Sequence, residues 1–215
     1  MKVKPTNVVI AGVGGQGNVL MSDLLAARCA LEGFDVKKTD ILGLAVRGGN
    51  VFSHVRWGER ISSPVIGRAK ADYLLSLEWL EAARQRPYLK KGGQVLINDA
   101  RIYPMLVSTG QAEYPESEEI IESFSGWASK VTVAPALSLA QQLGNTKVAN
   151  TILLGILARD LGFDFGGWSQ VLTKGLPANI LDINLKAFEI GYAFEDDSDE
   201  ANIEKIAIQG GDKNA

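Results

Sequence analysis

A glycine-rich stretch directly after an apolar run is the first feature of the sequence that could do chemistry. Four glycines occupy six positions there, and the spacing fits the pattern in which a tight turn brings the backbone close to a bound anion. Two amide side chains in the same stretch add hydrogen-bond donors and acceptors. The predicted cofactor-binding residues are Gly12, Gly14, Gly15, Gln16, Gly17 and Asn18. The alternative is that these glycines only allow close packing of a strand against a helix.

A second glycine-containing motif follows about 30 residues later, at Arg47, Gly48 and Gly49. A guanidinium beside two glycines favours anion binding, because its fork donates hydrogen bonds and the backbone can come close. If both loops follow the carboxyl ends of strands, they converge on one crevice. We therefore add these three residues to the predicted binding site and take Arg47 as a catalytic candidate. Otherwise Arg47 would only hold its loop or pair with an acid.

His54 is the single histidine, and it is the other catalytic candidate because imidazole can exchange protons near neutral pH. The alternative is a hydrogen-bonded structural or interface histidine. One histidine and one cysteine, Cys29, cannot build a histidine or cysteine metal site, so no metal is predicted. Cys29 falls in an apolar helical pattern, which favours a buried thiol. Asp40 could bind a ribose hydroxyl or simply end a strand.

Several other polar residues lie at predicted ends of strands and helices. Glu78, Asn98 and Asp99 follow apolar strands and could face the same crevice, or could cap helices. Asn145 is a candidate helix cap. Asn150 lies inside a predicted helix and would need a partner if it were buried.

The elements that must position these residues alternate between strands and helices. Strands are predicted at 7–12, 34–40, 71–78, 92–99 and 130–135, and helices at 18–31, 79–89 and 117–128. The stretch 51–67 alternates, with a turn at Gly58 and Glu59, and predicts an inserted β-hairpin. The last third of the chain is helical. The predicted fold class is therefore α/β, a doubly wound Rossmann-like mixed sheet with an inserted hairpin.

Length and composition set limits on the class of protein. The chain has 215 residues, a formal net charge of −3, and no apolar run of about 18 residues. We expect a cytoplasmic protein with no nucleic-acid and no membrane partner. Residues 195–215 contain seven acids and two lysines, a net charge of −5, so residues 1–194 sum to about +2. We predict one domain at 1–194 and an acidic, flexible tail at 195–215.

Six motifs occur in an order and spacing that resembles one known family. They are "GVGGQG" at 12–17, "RGG" at 47–49, "SHVRWG" at 53–58, "ADYLLSLE" at 71–78, "GGQVLIND" at 92–99 and "GNTKVANTILLG" at 144–155. The sequence resembles the gamma-type subunit or domain of the 2-oxoacid:ferredoxin oxidoreductases, and within it the beta subunit of the indolepyruvate branch. The resemblance extends over residues 6–192.

The resemblance implies an accessory role in oxidative decarboxylation of a 2-oxoacid to acyl-CoA, carbon dioxide and reduced ferredoxin. Thiamine diphosphate, iron–sulfur clusters and coenzyme A would be bound on or with partner subunits. The sequence agrees, because it lacks cluster-ligand cysteines and the Gly-Asp-Gly signature of thiamine diphosphate sites. The chain is expected to be inactive alone. Its expected partners are a thiamine-diphosphate-bearing subunit, ferredoxin through the complex and, for the isolated chain, a second copy in a homodimer.

Two positions depart from the family pattern. Indolepyruvate-type members usually have a histidine and a polar residue where this loop has Leu42 and Val46. The apolar loop weakens the transfer of specificity for an aryl-pyruvate. The resemblance thus leaves two other functions open: a stand-alone NAD(P)- or flavin-binding protein, and a non-catalytic scaffold that keeps the fold.

Overall fold

A computed structural model describes residues 5–43 and 49–195. Its centre is a six-stranded mixed sheet with the order β2-β3-β1-β4-β5-β6. The strands are β1 (Thr6–Val13), β2 (Asp35–Leu42), β3 (Asn50–Gly58), β4 (Ala71–Ser76), β5 (Leu89–Asn98) and β6 (Lys130–Ala134). The parallel strands β1, β4, β5 and β6 form one half, and β3 runs antiparallel between β1 and β2.

Eight α-helices connect and cover the strands of the described part. They are α1 (Asn18–Leu31), α2 (Trp79–Gln85), α3 (Met105–Ser108), α4 (Ser117–Phe124), α5 (Ala136–Gln142), α6 (Ala149–Asp160), α7 (Phe165–Gly175) and α8 (Ala178–Tyr192). Short 3₁₀ turns at Arg86–Tyr88 and Thr146–Val148 lead into β5 and α6. The predicted α/β class, the mixed sheet and the helical last third are confirmed.

The two faces of the sheet are covered by different helices. α1, α5, α6, α7 and α8 share one apolar core with Val8 and Ile10 of β1. On the other face α2 and α4 pack over Val9 and Ala11 of the same strand. Because neighbouring side chains of a strand point to opposite faces, the apolar run of β1 serves both cores.

The connections after β1 and β4 leave the sheet in different directions. From β1 the chain passes through α1 to β2 on one side, whereas β4 continues through α2 to β5 on the other. Doubly wound folds bind ligands at this kind of switch point, beyond the carboxyl ends of the two strands. The glycine loop after β1 lies at this point.

The hairpin predicted within 51–67 is wrong. β3 ends at Gly58 and pairs along its whole length with β2, so the observed hairpin joins β2 to β3 through residues 43–49. The stretch after Gly58 forms no strand, and Ile61 and Ile66 are the only buried residues of 59–67, five positions apart rather than alternating. Pro64 lies between them and cannot supply a backbone N–H to a ladder.

The longest helix of the described ranges is α8, with 15 residues. None of the helices there is long and apolar enough to cross a lipid bilayer.

Candidate functional site

The glycine loop turns sharply between β1 and α1. Gly15 and Gly17 have positive φ angles of 102° and 90°, which favour glycine. A Cβ on Gly17 would lie 2.3 Å from Asn150 Nδ2, whereas one on Gly15 would meet nothing within 4 Å. Gly17 therefore lets α1 approach α6, and Gly15 leaves backbone open to a ligand. The two roles considered for these glycines, close packing and backbone access for an anion, therefore fall at different positions of the same loop.

Gln16 holds the loop to the neighbouring strand. Its Oε1 accepts a hydrogen bond from the Val13 N–H at 2.7 Å, and its Nε2 donates to the Leu77 carbonyl at 3.1 Å. Asn98, at the end of β5, donates to the same carbonyl at 3.2 Å. The Leu77 carbonyl thus accepts hydrogen bonds from two side-chain amides at the switch point. These bonds fix the ends of the parallel strands β1, β4 and β5 relative to one another.

Asn18 and Gly12 are used in packing rather than facing the crevice. Asn18 is buried and donates through Nδ2 to the Val51 carbonyl, which fastens the start of α1 to β3. A Cβ on Gly12 would lie 2.7 Å from Asn18 Oδ1, so the glycine makes room for this amide. For these two predicted binding residues the geometry favours the packing alternative.

The two glycine motifs do come together. The Gly14 N–H donates to the Gly49 carbonyl at 2.9 Å, so the loop after β1 touches the loop before β3. Arg47 and Gly48 lie outside the described residues, and so does Val46. Their assignment to the site stays a prediction.

A cavity of about 490 Å³ opens beside the glycine loop. Its lining residues come from the loop, the ends of β4 and β5, the 3₁₀ turn before α6, and α8: Gly15, Gln16, Gly17, Leu20, Leu77, Asn98, Ala100, Arg101, Ile102, Leu137, Asn145, Thr146, Lys147, Val148, Ala149, Asn150, Ile180 and Asn184. Arg101 and Lys147 are exposed at its mouth, and none of these lining residues is acidic. The volume is in the range of small-molecule sites.

The electrostatics of this cavity favour an anion. The N-termini of α1 and α6 both border it, and helix N-termini present free N–H groups and a partial positive charge. No side chain caps the N-terminus of α1. The cationic side chains of Arg101 and Lys147 add to the same field.

Buried amides form the floor of the cavity. Asn184 of α8 accepts a hydrogen bond from Thr151 Oγ1 at 2.6 Å and donates to the Ile180 carbonyl at 2.7 Å. Thr151 Oγ1 also lies 3.3 Å from Asn150 Oδ1, so the two buried amide oxygens share its single hydroxyl proton, with the shorter contact to Asn184. Asn145 accepts from the Lys147 N–H at 3.0 Å and caps the 3₁₀ turn, as predicted.

Glu78 and Asp99 position the segment that holds Arg101. Glu78 is buried and caps α2, accepting from the Glu81 N–H at 2.9 Å. Its other oxygen accepts from the Ile102 N–H at 3.2 Å and from the Tyr114 hydroxyl. Asp99 accepts from Trp79 Nε1 at 2.9 Å. The capping alternative is therefore observed for Glu78.

His54 lies away from the cavity. It is buried, its Nδ1 accepts from the Ile66 N–H at 3.0 Å, and its ring packs against Phe52 and Tyr88. Burial, with a smaller contribution from the charge of Arg56, lowers the pKa of His54 to about 4. A neutral, enclosed imidazole matches the structural alternative.

Asp40 also lies outside the cavity lining. Its carboxylate accepts from Ser53 Oγ at 2.6 Å and lies 3.1 Å from Lys38 Nζ. It therefore stabilises β2 against β3 and α1, which matches the strand-end alternative. The thiol of Cys29 is buried as predicted, and burial raises its pKa to about 12. Among the described residues no group of histidine, cysteine and acidic side chains could hold a metal ion.

The sequence analysis missed Arg101, Lys147 and Asn184 as lining residues. Arg101 follows the end of β5 by three residues, and the carboxyl end of a parallel strand is a usable signal. Lys147 follows the predicted cap Asn145. Asn184 lies in a helix that returns from the far end of the chain, and nothing local indicates its position.

Comparisons with known proteins bear on the family and the fold of the chain. Residues 7–194 match the family model described as pyruvate ferredoxin/flavodoxin oxidoreductase. Indolepyruvate oxidoreductase subunit IorB of Pyrococcus horikoshii is 37% identical over 195 residues, which are 88% of this chain and 95% of that subunit.

Two solved structures show the same fold. The gamma subunit of a keto/oxoacid ferredoxin oxidoreductase from Geobacter sulfurreducens superposes with a TM-score of 0.67 at 20% identity, over 88% of this chain and 95% of that one. A 2-oxoglutarate:ferredoxin oxidoreductase from Magnetococcus marinus, solved with 2-oxoglutarate, coenzyme A and succinyl-CoA bound, has a TM-score of 0.68 at 20% identity, over 88% of this chain but 31% of its own.

Proposed function

Since this chain belongs to the pyruvate ferredoxin/flavodoxin oxidoreductase family, we propose that its cavity binds the phosphate-bearing part of coenzyme A. The chain is an accessory subunit of a 2-oxoacid:ferredoxin oxidoreductase. We further propose that the enzyme acts on an aryl 2-oxoacid of the indolepyruvate type, as the name of the Pyrococcus relative states for that protein.

The acid-free cavity beside the glycine loop carries the proposal. A phosphate ester would meet the open backbone at Gly15, the N-termini of α1 and α6, and the cations Arg101 and Lys147. These groups are the ones that proteins use for phosphates. When bound, coenzyme A supplies the thiol that takes up the acyl group. The chain's own residues bind and orient the ligand, and its apolar lining excludes water from one side.

The remaining cofactors belong, in this proposal, to partner subunits. Thiamine diphosphate and iron–sulfur clusters would sit on a larger subunit, through which ferredoxin is reduced. The Magnetococcus enzyme supports this arrangement, because the matching region is less than a third of its chain. The cavity would then be one wall of a shared cleft that the partner completes.

The binding site is tested by removing its cations. We expect Lys147→Ala and Arg101→Ala each to weaken coenzyme A binding about tenfold, because each removes a charge-assisted hydrogen bond to phosphate. Titration calorimetry on the complex with its partner subunits measures this. Lys91→Ala, which removes an exposed cation outside the cavity lining, is the matched control. Equal affinity for the cavity variants and the control would refute the assignment.

Arg47 is tested in the same assay. We expect Arg47→Ala to weaken binding of coenzyme A or of the 2-oxoacid in the reconstituted complex. Unchanged affinity for both, with the complex intact, would remove Arg47 from the site.

Substrate class is tested by comparing kcat/KM for indolepyruvate, pyruvate and 2-oxoglutarate in the same complex. We expect the aryl substrate to be preferred. A preference for pyruvate or 2-oxoglutarate would keep the accessory role and overturn the specificity. In that case Leu42, the last residue of β2 and 65% exposed, would be the first position to test by substitution.

A further inference from the structure

The outer edge of β2 is unpaired in the described part of the protein. β2 is the terminal strand of the sheet, and its only partner there is β3. Its side chains alternate: Val36, Lys38 and Asp40 lie on the face covered by α1, where Lys38 pairs with Asp23 and Asp40 contacts Ser22. The odd-numbered residues lie on the opposite face.

The backbone of this edge is ready to form a ladder. The Gly43 N–H donates to the Asn50 carbonyl at 2.9 Å, which sets the hydrogen-bonding phase between β2 and β3. In an antiparallel pair alternate residues bond to the partner strand. The odd-numbered residues of β2 therefore bond to β3, whereas Val36, Lys38, Asp40 and Leu42 direct their N–H and C=O groups outward.

From this edge we propose that two copies of the chain pair through their β2 strands, antiparallel, with the twofold axis at Thr39. The outward-facing residues then oppose one another as hydrogen-bonded pairs, with roughly eight bonds across the axis. Lys38 lies opposite Asp40 of the second copy, and Val36 lies opposite Leu42 of the second copy. Two charge pairs and two apolar pairs result, all on the face covered by α1.

Charge selects this register over its neighbours. Moving the axis to Lys38 would place two lysines opposite each other, and moving it to Asp40 would do the same with two aspartates. Like charges in direct cross-strand positions are destabilising, and opposite charges are stabilising. Charged residues on an edge strand normally prevent pairing with arbitrary strands. In this strand the same charges permit one self-complementary pairing.

The exposed apolar residues of β2 fit the proposal. Leu42 is 65% exposed and Ile41 36% exposed in the single chain. In the paired edge Leu42 meets Val36 of the second copy, and Ile41 meets the aliphatic stem of Lys37 of the second copy. Thr39 meets its own copy across the axis, and Thr–Thr is a favourable cross-strand pair.

A disulfide across the axis tests the register. Thr39 faces its copy in a non-hydrogen-bonded pair, where Cα atoms are about 4.5 Å apart, within disulfide range. Under mild oxidation of the full chain we expect Thr39→Cys to form a covalent dimer on a non-reducing gel. The native Cys29 is buried and should give no background. The matched control is Lys37→Cys, on the same face, whose copies would lie about 14 Å apart and should not cross-link.

Charge reversal tests the same pairing independently. Lys38→Glu places acids opposite acids, Asp40→Lys places bases opposite bases, and each should weaken the dimer about tenfold in sedimentation equilibrium. Mixing the two variants restores both opposite-charge pairs, so the mixed dimer should form about tenfold more tightly than the dimer of either variant alone. A defect confined to the fold of one chain would persist when the two variants are mixed. Recovery of the dimer on mixing therefore shows that positions 38 and 40 face each other between chains. If Asp40→Lys fails to fold, the comparison of Thr39→Cys with Lys37→Cys cross-linking tests the register instead.

Three results would overturn the proposal: a monomeric chain at tens of micromolar, equal cross-linking of the two cysteine variants, or loss of Thr39→Cys cross-linking in the complex with partner subunits. The last would mean that a different subunit covers the edge. None of these outcomes bears on coenzyme A binding, which is measured separately.

Discussion

Gln16 shows how little of the glycine loop's side-chain chemistry is left for a ligand. Both ends of its amide are hydrogen-bonded within the protein, to Val13 and Leu77. The Nδ2 of Asn18 is committed to the Val51 carbonyl, and its Oδ1 is buried without a hydrogen-bond partner among the described residues. The loop can therefore offer a phosphate its backbone and its helix N-terminus, and the charged contacts must come from outside the motif.

The glycines of the loop differ in what a methyl group would do. We expect Gly17→Ala to lower the free energy of unfolding by about 2 kcal/mol or more, because it adds both left-handed strain and a clash with Asn150. Gly15→Ala should cost only about 1 kcal/mol, since its surroundings are open. Urea denaturation measures both. Equal losses for the two variants would contradict the assigned roles.

His54 gives the protein a pH-dependent stability. Its pKa of about 4 in the folded chain lies below the value near 6.5 of an unfolded chain, so the unfolded state binds the proton more readily. The stabilisation is complete above about pH 6.5 and is lost as pH falls towards 4. Between pH 7.5 and 5 we expect the free energy of unfolding to drop by about 2 kcal/mol from this group.

The control for this pH dependence is His54→Gln, which does not titrate and can still accept from Ile66. Its unfolding free energy should change less over the same interval, measured by urea denaturation at each pH. If the parent chain and the variant lose the same amount, the loss comes from other groups.

Sequence patterns predicted the glycine loop and the caps but not the part of the cavity floor that α8 supplies. Glycine spacing after an apolar strand is a local signal, and so is an asparagine before a helix. The contribution of Asn184 depends on how α8 returns over α6, a long-range packing that periodicity does not encode. The burial of His54 likewise depends on the irregular segment around Ile66.

At the scale of elements, α6 and α8 pack backbone to backbone. A Cβ on Gly191 would lie 1.9 Å from the Ile152 carbonyl oxygen, and one on Gly155 would lie 2.4 Å from the Phe188 carbonyl oxygen. Each helix therefore contributes a glycine where the other comes closest. This approach places Asn184 within reach of Thr151 and so builds the cavity floor.

We expect Gly191→Ala to lower the free energy of unfolding by about 3 kcal/mol or more, because only movement of a whole helix would relieve the contact. Gly166→Ala in α7 is the matched control, since its nearest neighbour is a side-chain oxygen of Asp164 at 3.2 Å. That change should stay within about 1 kcal/mol. Thermal and urea unfolding measure both, and a tolerated Gly191→Ala would show that the two helices can separate without loss.

The incorrect hairpin prediction shows that an alternating sequence identifies a strand but does not determine which strands pair with it. Alternation identified β3, yet it does not say which strands lie beside it. β3 pairs with β2 on one side and with β1 on the other, so its edges are both occupied before residue 60 is reached. The residues that follow form no strand, and Ile66 instead packs into the core on the face covered by α2 and α4.

At the scale of the whole molecule, charge is divided between body and tail. The family match ends at residue 194, and residues 195–215 contain the net charge of −5. That residues 1–194 form one complete domain stays a prediction. We expect a chain ending at Phe194 to keep its thermal midpoint and its affinity for coenzyme A. A lower midpoint or weaker binding would show that the acidic segment contributes to the folded body.

The burial of α6 has a consequence for the thermodynamics of ligand capture. Ten consecutive residues of this helix, Ala149–Ala158, are buried, while its N-terminus borders the cavity. Amides in its interior should exchange with deuterium only when the whole domain opens. The floor of the cavity is thus already rigid before a ligand arrives, and its ordering entropy is lost during folding rather than on binding. Among the described lining residues, the long exposed side chains of Arg101 and Lys147 at the mouth remain to be immobilised, so their ordering should account for most of the entropy that these residues lose on binding.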